Sequence, residues 1–185
     1  MCGRFSLIDD LAILQETFGF EFGDEIEPRY NISPGQEILT IGKYEGKRAG
    51  AMMRWGLIPF WAKEPKIGYK MINARSEGID KKASFMNAFK KRRILIPCSG
   101  FYEWKKSDEG KLPYRFIMKD EKPFAFAGIR ETWIKGKSPL YSCSILTTQP
   151  NGVIELVHDR MPVILHEKDY DIWMDSEFDD ISSFS

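Results

Sequence analysis

The sequence predicts an α+β fold in which a mostly antiparallel, barrel-like β-sheet forms the core and a few short helices lie at its margins. Most apolar segments are short runs bounded by Gly, Pro, Asn or Asp, which is the pattern of strands joined by turns. Only a few segments repeat their apolar residues at helical spacing. With 185 residues, 43% of them hydrophobic, the chain is long enough for one sizeable core. We therefore predict a single domain over residues 1–174 and an acidic, polar, disordered tail at 175–185.

The first elements are a helix and two strands separated by a loop. Residues 9–18 place their apolar side chains at helical spacing after an aspartate that can cap the helix, and Gly19 ends it. Residues 28–35 contain two prolines and a glycine, so we expect an irregular loop there. Strands at residues 38–41 and 47–55 follow, joined by a turn, and begin the sheet.

The middle of the chain contains a long segment without a regular period. Residues 57–70 are rich in Pro, Gly, Trp and Lys, and we expect a surface loop there. This loop carries Trp61, a side chain too large to be exposed without a reason. A helix at residues 84–92 and a strand at 93–97 follow.

The next strand, at residues 101–105, alternates apolar and polar residues. The alternation places Glu103 on the face opposite Tyr102 and Trp104. Later elements are predicted from the same patterns: strands at 112–118, 124–129, 141–148 and 163–165, and short helices at 150–157 and 167–174.

Several properties of the whole chain exclude classes of protein. No apolar run approaches the roughly 20 residues of a membrane span, and no signal sequence is present, so we expect a cytoplasmic protein. Cys2, Cys98 and Cys143 have no CxxC spacing and cannot all pair, which argues against a zinc site and a disulfide framework. We expect Cys98 and Cys143 to lie in the core. We predict no metal, no cofactor and a monomer.

The charges are balanced in number but not in distribution. The chain has 27 basic and 27 acidic residues, yet residues 61–106 contain twelve basic and four acidic ones, a local charge of +8. Aromatic residues, Trp61 and Trp104 among them, are interleaved with these cations. Cations follow phosphates and aromatic faces stack on bases, so this composition suits a surface for single-stranded nucleic acid. A solvated face above core aromatics would have the same composition.

The first five residues carry the main chemical signal. Removal of Met1 would leave Cys2 with a free α-amine, of pKa about 7.7–8.0, beside a thiol of pKa about 8.5. Such an aminothiol can perform acyl transfer, or it can capture an aldehyde as a Schiff base that the thiol closes to a thiazolidine. A second-position cysteine also occurs without such a role, so the interpretation depends on partner groups elsewhere.

Three polar residues are candidate partners of Cys2. His158 can transfer protons, or it is a surface histidine. Glu103 lies between two aromatic residues that can desolvate it, which would raise its pKa and make it a proton donor, or it faces solvent on an edge strand. Asn73 can hold a substrate oxygen or the terminal amine, or it only builds a turn. Sequence spacing alone does not bring these residues together.

Six sequence blocks extend the interpretation by resemblance. They cover residues 1–5, 29–35, 53–59, 72–77, 100–104 and 158–162. Their order resembles that of the SOS response-associated peptidase (SRAP) family of abasic-site processing proteins. The resemblance implies the fold of that family and a protein that binds single-stranded DNA at an abasic site.

The resemblance also implies roles for individual residues. Cys2 would be the nucleophile that joins the sugar aldehyde, Asn73 would position the N-terminal residue, Glu103 would be the acid and base, and His158 would assist proton transfer. Four further residues would contact DNA: Arg4, Arg75, Trp61 and Trp104. The family resemblance further implies autocatalytic removal of residues preceding the cysteine and association with the nucleoid when the protein is bound to DNA.

Two other classes share part of this pattern. Glutamine amidotransferases also begin with a cysteine nucleophile, but their domains are longer and their glutamine-binding motifs are not found here. A non-catalytic nucleic-acid-binding module would use the basic, aromatic stretch, and Cys2 would have no role in it.

Overall fold

The computed structural model describes residues 2–108 and 110–177. Strands and α-helices follow in chain order: β1 Phe5–Leu7, α1 Leu11–Phe18, β2 Arg29–Ile32, β3 Glu37–Tyr44, β4 Lys47–Trp55, β5 Asn73–Arg75, α2 Met86–Lys91, β6 Arg93–Cys98, β7 Gly100–Ser107, β8 Gly110–Phe116, β9 Phe124–Trp133, β10 Leu140–Thr148, β11 Met161–Pro162, β12 Ile164–Leu165 and α3 Tyr170–Met174. Short 3-10 helices cover Pro65–Lys70, Ile79–Lys81 and Glu167–Asp169. The predicted α+β class is confirmed.

Five strands close into a barrel. β4 pairs with β3, β3 with β6, β6 with β9 and β9 with β10, and β10 returns to β4. All of these pairings are antiparallel except the one between β10 and β4. β5 also pairs with β10 in parallel, at positions further along β10 than those that pair with β4. The barrel-like sheet is therefore confirmed, and β10 connects the barrel to β5.

A second sheet carries the N-terminus. Its strand order is β2-β1-β7-β8, so β1 pairs with β2 on one side and with β7 on the other. Phe5 of β1 enters the barrel core, where its ring makes edge contacts with Trp55 at 5.3 Å and with Phe126 at 5.9 Å between centroids. These aromatic contacts fix the start of the chain against the barrel.

The segment between β4 and β5 leaves the barrel and returns close to its starting point. Gly56 has a φ of +131°, and a Cβ there would lie 2.6 Å from the carbonyl oxygen of Gly68. The backbone approach is possible only because both residues lack a side chain. The Trp55 indole N–H also donates to the Ile72 carbonyl at 2.9 Å, so the base of the loop is held closed.

Two predictions of local structure are wrong. Residues 28–35 are not wholly irregular, because Arg29–Ile32 forms β2 and pairs with β1. Residues 150–157 form turns rather than a helix, although the Asn151 side chain accepts the N–H groups of Val153 and Ile154 as a helix cap would. The segment that follows the cap is short and contains Gly152 and β-branched residues, which have low helix propensity.

The aspartate preceding the first helix also differs from its predicted role. The N-cap residue is Asp10, and its side chain makes no capping hydrogen bond. Asp9 instead accepts a hydrogen bond from the Ser99 hydroxyl at 2.5 Å, which ties the start of the helix to the turn between β6 and β7. Gly19 ends the helix in the left-handed conformation, as predicted.

Parts of two predictions fall on residues that the structure does not describe. Residues 178–185 of the predicted tail lie outside the described residues, as does Met1. No helix in the described part of the chain has the length and apolar character that a membrane crossing requires.

Candidate active site around Cys2

Cys2 lies inside the protein at the edge between the two sheets. It is 0% exposed and belongs to the main hydrophobic core. Its carbonyl oxygen accepts a hydrogen bond of 2.8 Å from the Asn73 side-chain amide. Two residues later, the carbonyl of Arg4 accepts the N–H of Tyr102 at 2.9 Å. The backbone around Cys2 is therefore held by β5 on one side and by β7 on the other.

Asn73 owes its position to the barrel. It opens β5 and pairs with Ile145 of β10, so the loop that leaves at Gly56 delivers it beside Cys2. Its Nδ2 group donates to Cys2, whereas its buried Oδ1 has no hydrogen-bond partner among the described residues. A buried acceptor without a donor costs about 1–3 kcal/mol. Asn73 thus presents one free acceptor at the Cys2 backbone.

Glu103 is a buried carboxylate on β7. It is 2% exposed, whereas its neighbours Tyr102 and Trp104 are partly exposed. The predicted alternation of faces is confirmed, and the solvent-facing alternative for Glu103 is wrong. Burial raises the pKa of the Glu103 carboxyl above its ordinary value, and the nearby His158 imidazole acts in the opposite direction. Glu103 is thereby suited to hold a proton closer to neutral pH than an exposed glutamate.

His158 faces Glu103 with its Nε2 atom, which lies 3.8 Å from Oε2 of the carboxylate. Its other ring nitrogen, Nδ1, accepts the backbone N–H of Arg160 at 2.9 Å. In the neutral imidazole this bond leaves the proton on Nε2, directed toward Glu103. Nδ1 also lies 2.9 Å from the exposed carboxylate of Asp159, which can accept a hydrogen bond from the imidazolium form.

The segment that carries His158 is anchored by a bidentate ion pair. The guanidinium of Arg160, 7% exposed, donates to both carboxylate oxygens of Glu77 at 2.6 and 2.9 Å. It also donates to the Thr147 carbonyl at 2.7 Å. Hydrogen bonds from Arg160 lower the pKa of Glu77 below its ordinary value. Because Glu77 follows β5, this pair links the histidine segment to the segment that carries Asn73.

Sequence analysis did not single out the pair of Glu77 and Arg160. Both residues lie inside sequence blocks noted above, at 72–77 and 158–162. The opposite charges of these two residues were the only feature of the sequence that could have suggested the pair. Their contact depends on how β5 aligns with β10, which the sequence does not show.

The three cysteines are all fully buried, and only Cys2 has polar catalytic candidates around it. Burial, and then the neighbouring Glu103 carboxylate, raise the pKa of the Cys2 thiol to about 12. Burial likewise raises the pKa of Cys98 and of Cys143. The predicted core positions of Cys98 and Cys143 are confirmed. The Cys2 thiol is therefore protonated at neutral pH while the folded site is closed.

A cavity of about 320 Å³ opens beside these groups. It is lined by Glu103, Trp104, Lys106, Lys111 and His158. Trp104 is thus the predicted aromatic residue that the structure brings to the catalytic candidates. The two lysines had no assigned role in the sequence analysis.

The two arginines predicted to bind DNA do not line this cavity. Arg4 neighbours the site and donates from its guanidinium to the Asn31 side chain at 2.9 Å. Arg75 is exposed at the end of β5, two residues after Asn73.

Trp61 belongs to a separate part of the surface. It is 43% exposed, and its carbonyl accepts a hydrogen bond of 2.8 Å from the Lys135 ammonium. The next residue, Ala62, accepts the indole N–H of Trp133, which pairs with Leu140 at the start of β10. The structure therefore brings Trp104 to the cavity, whereas Trp61 lies beside the contact between Ala62 and Trp133 and does not line the cavity.

Within residues 2–108 and 110–177, no group of three or more His, Cys, Asp or Glu side chains is arranged to hold a metal ion.

Fold and site together define a cysteine-centred β-barrel protein in which an amide holds the carbonyl of a buried cysteine and a carboxylate, faced by an imidazole, lies near its thiol. The chain belongs to the SOS response associated peptidase (SRAP) family, whose family model matches residues 1–184. The family resemblance found in the sequence is thereby confirmed.

Individual relatives agree with this membership. YoqW of Bacillus subtilis (strain 168), named an abasic site processing protein, is 45% identical over 179 residues, which is 94% of this chain and 80% of YoqW. YoaM of the same strain, also named an abasic site processing protein, is 46% identical over 178 residues, or 92% of this chain and 78% of YoaM. The crystal structure of a protein from Bacteroides thetaiotaomicron matches with a TM-score of 0.91 at 25% identity and covers 99% of this chain and 86% of that one.

Proposed function

We propose that this protein processes abasic sites in single-stranded DNA by joining Cys2 covalently to the aldehyde of the abasic sugar. The observation that carries the proposal is the convergence of Asn73, Glu103 and His158 on a cysteine at the second position. The names of the relatives, which are abasic site processing proteins, support the same substrate.

The first step requires an acid. An abasic sugar is mostly a closed hemiacetal, so its ring must open before a nucleophile can reach the aldehyde. Glu103 is the proton donor for this opening, because burial raises the pKa of its carboxyl and makes it a more effective acid near neutral pH than an exposed glutamate. After removal of Met1, the α-amine of Cys2 attacks the aldehyde carbon, and loss of one water gives the imine.

The second step uses the thiol. With its pKa raised to about 12, the Cys2 thiol is a poor nucleophile until a base accepts its proton. Glu103 has given up its proton in the first step and now serves as that base. The sulfur adds to the imine carbon, the nitrogen keeps the bonding pair and takes up a proton, and a thiazolidine ring closes. The product equals protein plus DNA minus one water.

Asn73 and His158 support these transfers. Asn73 holds the Cys2 carbonyl through Nδ2, and its unpartnered Oδ1 can accept a hydrogen bond from the terminal amine. When His158 is protonated, it can give its Nε2 proton to the Glu103 carboxylate and become the neutral imidazole, which restores the acid after ring closure. The exposed Asp159 carboxylate, 2.9 Å from Nδ1, stabilises the imidazolium form.

Single-stranded DNA is the proposed partner. Arg4 and Arg75 lie next to the groups around Cys2 and supply phosphate contacts, and Trp104 offers a stacking face at the cavity. Trp61 would contact a more distant part of the strand. In a bacterial cell such a protein would act in the cytoplasm, on the nucleoid.

A second activity, autocatalytic removal of residues that precede Cys2, is proposed from the same groups. The family description as a peptidase supports it. The thiol would attack the preceding carbonyl carbon, the acyl group would pass from nitrogen to sulfur, and water would release it from the sulfur. A chain extended before Cys2 tests this activity, since the extension should be lost from the wild type and kept in Cys2→Ala.

Intact mass spectrometry tests the main proposal. Protein lacking Met1 is mixed with a single-stranded oligonucleotide that holds one abasic site. We expect a heat-stable species of protein plus oligonucleotide minus one water, formed without a reductant. The matched control is the same oligonucleotide without the lesion. Absence of this species, with Cys2 shown to be N-terminal and free, would refute the crosslinking mechanism.

A further inference from the structure

The hairpin of β7 and β8 places two lysines directly opposite each other. Lys106 of β7 pairs with Lys111 of β8 in the antiparallel register. Both residues are exposed, and both line the cavity that also contains Glu103, Trp104 and His158. The cross-strand pair of Lys106 and Lys111 therefore gives the lining of this cavity two positive charges.

Like charges at directly opposed positions destabilise a hairpin. Neither Lys106 nor Lys111 forms an ion pair with another described residue. The comparable pair on the hairpin of β3 and β4 is Lys43 and Arg48. There the cost is offset, because Arg48 is paired with Asp171 at 3.0 Å and donates to the Phe18 carbonyl at 2.6 Å. The lysine pair at the cavity lacks any such internal compensation.

An anion in the cavity would supply the missing compensation. Trp104 and Lys106 are two residues apart on β7, so they lie on one face about 7 Å apart along the strand. A base stacked on Trp104 therefore brings its neighbouring phosphate within reach of the lysines.

We propose that Lys106 and Lys111 form a phosphodiester-binding subsite, which holds a backbone phosphate of the DNA strand next to the abasic nucleotide. This inference rests on the proposed function for the identity of the ligand. In this subsite one backbone phosphate would lie between the two lysine ammonium groups, next to the ring of Trp104 on which a base can stack.

The test measures non-covalent binding, so that it does not depend on the crosslink. The ligand is a single-stranded oligonucleotide with a tetrahydrofuran residue, an abasic analogue that has no aldehyde. Counterion release predicts that each lost phosphate contact reduces affinity about five-fold at 0.1 M salt and reduces the salt slope by about 0.7. We expect the double variant Lys106→Gln, Lys111→Gln to lose affinity about 25-fold if each lysine neutralises one phosphate charge, and at least five-fold if they share one.

The matched control is Lys43→Gln, Lys47→Gln on the hairpin of β3 and β4. It removes the same charge near the turn end of β4, remote from Trp55 and from the loop that delivers Asn73. We expect its affinity and salt slope to stay within two-fold of wild type. The lysine pair variant should also unfold at the same temperature as wild type or higher, because removal of opposed charges relieves the hairpin.

A second experiment identifies the phosphate. Single uncharged methylphosphonate linkages are placed in turn on each side of the tetrahydrofuran residue. At one position the replacement should weaken binding of the wild type but not of the lysine pair variant.

The inference is overturned if the lysine pair variant binds like the control, or if no methylphosphonate position distinguishes it from wild type. A wild type that binds this oligonucleotide yet forms no adduct with a true abasic site would instead overturn the proposed function and leave the subsite standing.

Discussion

Nε2 of His158 lies 3.8 Å from Oε2 of Glu103, whereas Nδ1 of the same ring is occupied by the backbone N–H of Arg160. The bond from Arg160 orients the imidazole with Nε2 toward Glu103. The same carboxylate raises the pKa of the Cys2 thiol, so Glu103 neighbours both His158 and Cys2.

Replacement of the thiol should separate the two bonds of the proposed adduct. Cys2→Ser retains the α-amine but not the sulfur, so it should form an imine and no thiazolidine. We expect no heat-stable species by intact mass, and a stable one only after reduction with borohydride. A heat-stable adduct of Cys2→Ser without reductant would contradict the role of the sulfur.

Removal of the buried acid should slow adduct formation. General acid catalysis contributes about 10²–10⁴-fold, so Glu103→Gln should reduce the rate at neutral pH by about 10²-fold or more. The wild-type rate should fall as pH rises through the raised pKa of Glu103, and this limb of the profile should be absent from Glu103→Gln. An identical pH profile for both proteins would remove Glu103 from the acid role.

The same substitution should stabilise the protein at neutral pH. A carboxyl whose folded-state pKa lies above its unfolded value destabilises the fold as pH rises through that range, because the folded state releases its proton less readily. Glu103→Gln removes this cost. Urea unfolding at two pH values should give a larger free energy of unfolding for the variant at pH 7 and a smaller difference near pH 4. A loss of stability at pH 7 would show that the ionised carboxylate is a favourable part of the fold.

Asn73→Ala should affect rate more than stability. The variant loses the bond from Nδ2 to the Cys2 carbonyl, worth about 1 kcal/mol, but it also removes the unpartnered Oδ1 atom. These effects offset each other, so we expect a change of less than about 1 kcal/mol in the free energy of unfolding. Adduct formation should slow at least ten-fold, since the terminal residue is no longer held. A single-turnover time course measures this, and an unchanged rate would refute the positioning role.

The ion pair of Glu77 and Arg160 should make the stability of the fold depend on pH. The pKa of Glu77 is lower in the folded state than its ordinary value of about 4.3. The ionised carboxylate therefore adds to the free energy of unfolding at pH values above about 4.3, and this stabilisation is lost as the pH falls toward the folded-state pKa. Glu77→Gln should cost about 1 kcal/mol at pH 7, a discounted figure because the carboxylate is half exposed. Thermal unfolding from pH 7 to pH 3 should show the difference between wild type and variant shrinking. A constant difference would mean that the pair adds nothing electrostatic.

The two predicted DNA-binding tryptophans should differ in effect. Trp104 lines the cavity. Trp61 instead precedes Ala62, whose carbonyl accepts the indole N–H of Trp133 at the end of β9. Loss of a stacking face costs about 1–3 kcal/mol per base. We expect Trp104→Ala to weaken binding of a short oligonucleotide centred on the lesion, and Trp61→Ala to leave it within two-fold. Equal losses from both variants would show that the strand reaches further than the cavity.

Local patterns predicted the strand that carries Glu103, because alternation of faces is a property of one strand and needs no knowledge of its neighbours. They failed after Asn151, where the side chain accepts backbone N–H groups as a helix cap does but the residues that follow, which include Gly152, continue as turns. They failed also at Arg29–Ile32, where pairing with β1 overrides the turn signals around it.

The site itself could not be assembled from local patterns. Asn73 reaches Cys2 because β5 pairs in parallel with β10, and the Gly56 and Gly68 backbones close the loop between β4 and β5. His158 faces Glu103 because Arg160 is fixed to Glu77. Such contacts join residues that are far apart in the chain. Residue spacing therefore could not group the site residues, and only the resemblance to a family did so.

The complete burial of Cys2 imposes an order of events on the life of each molecule. Its neighbours Asn73 and Glu103 are synthesised long after it, and the segment of His158 comes near the end of the chain. The surroundings that bury Cys2 are therefore complete only after these later segments have joined the barrel, and the raised pKa of its thiol is acquired at that late stage of folding.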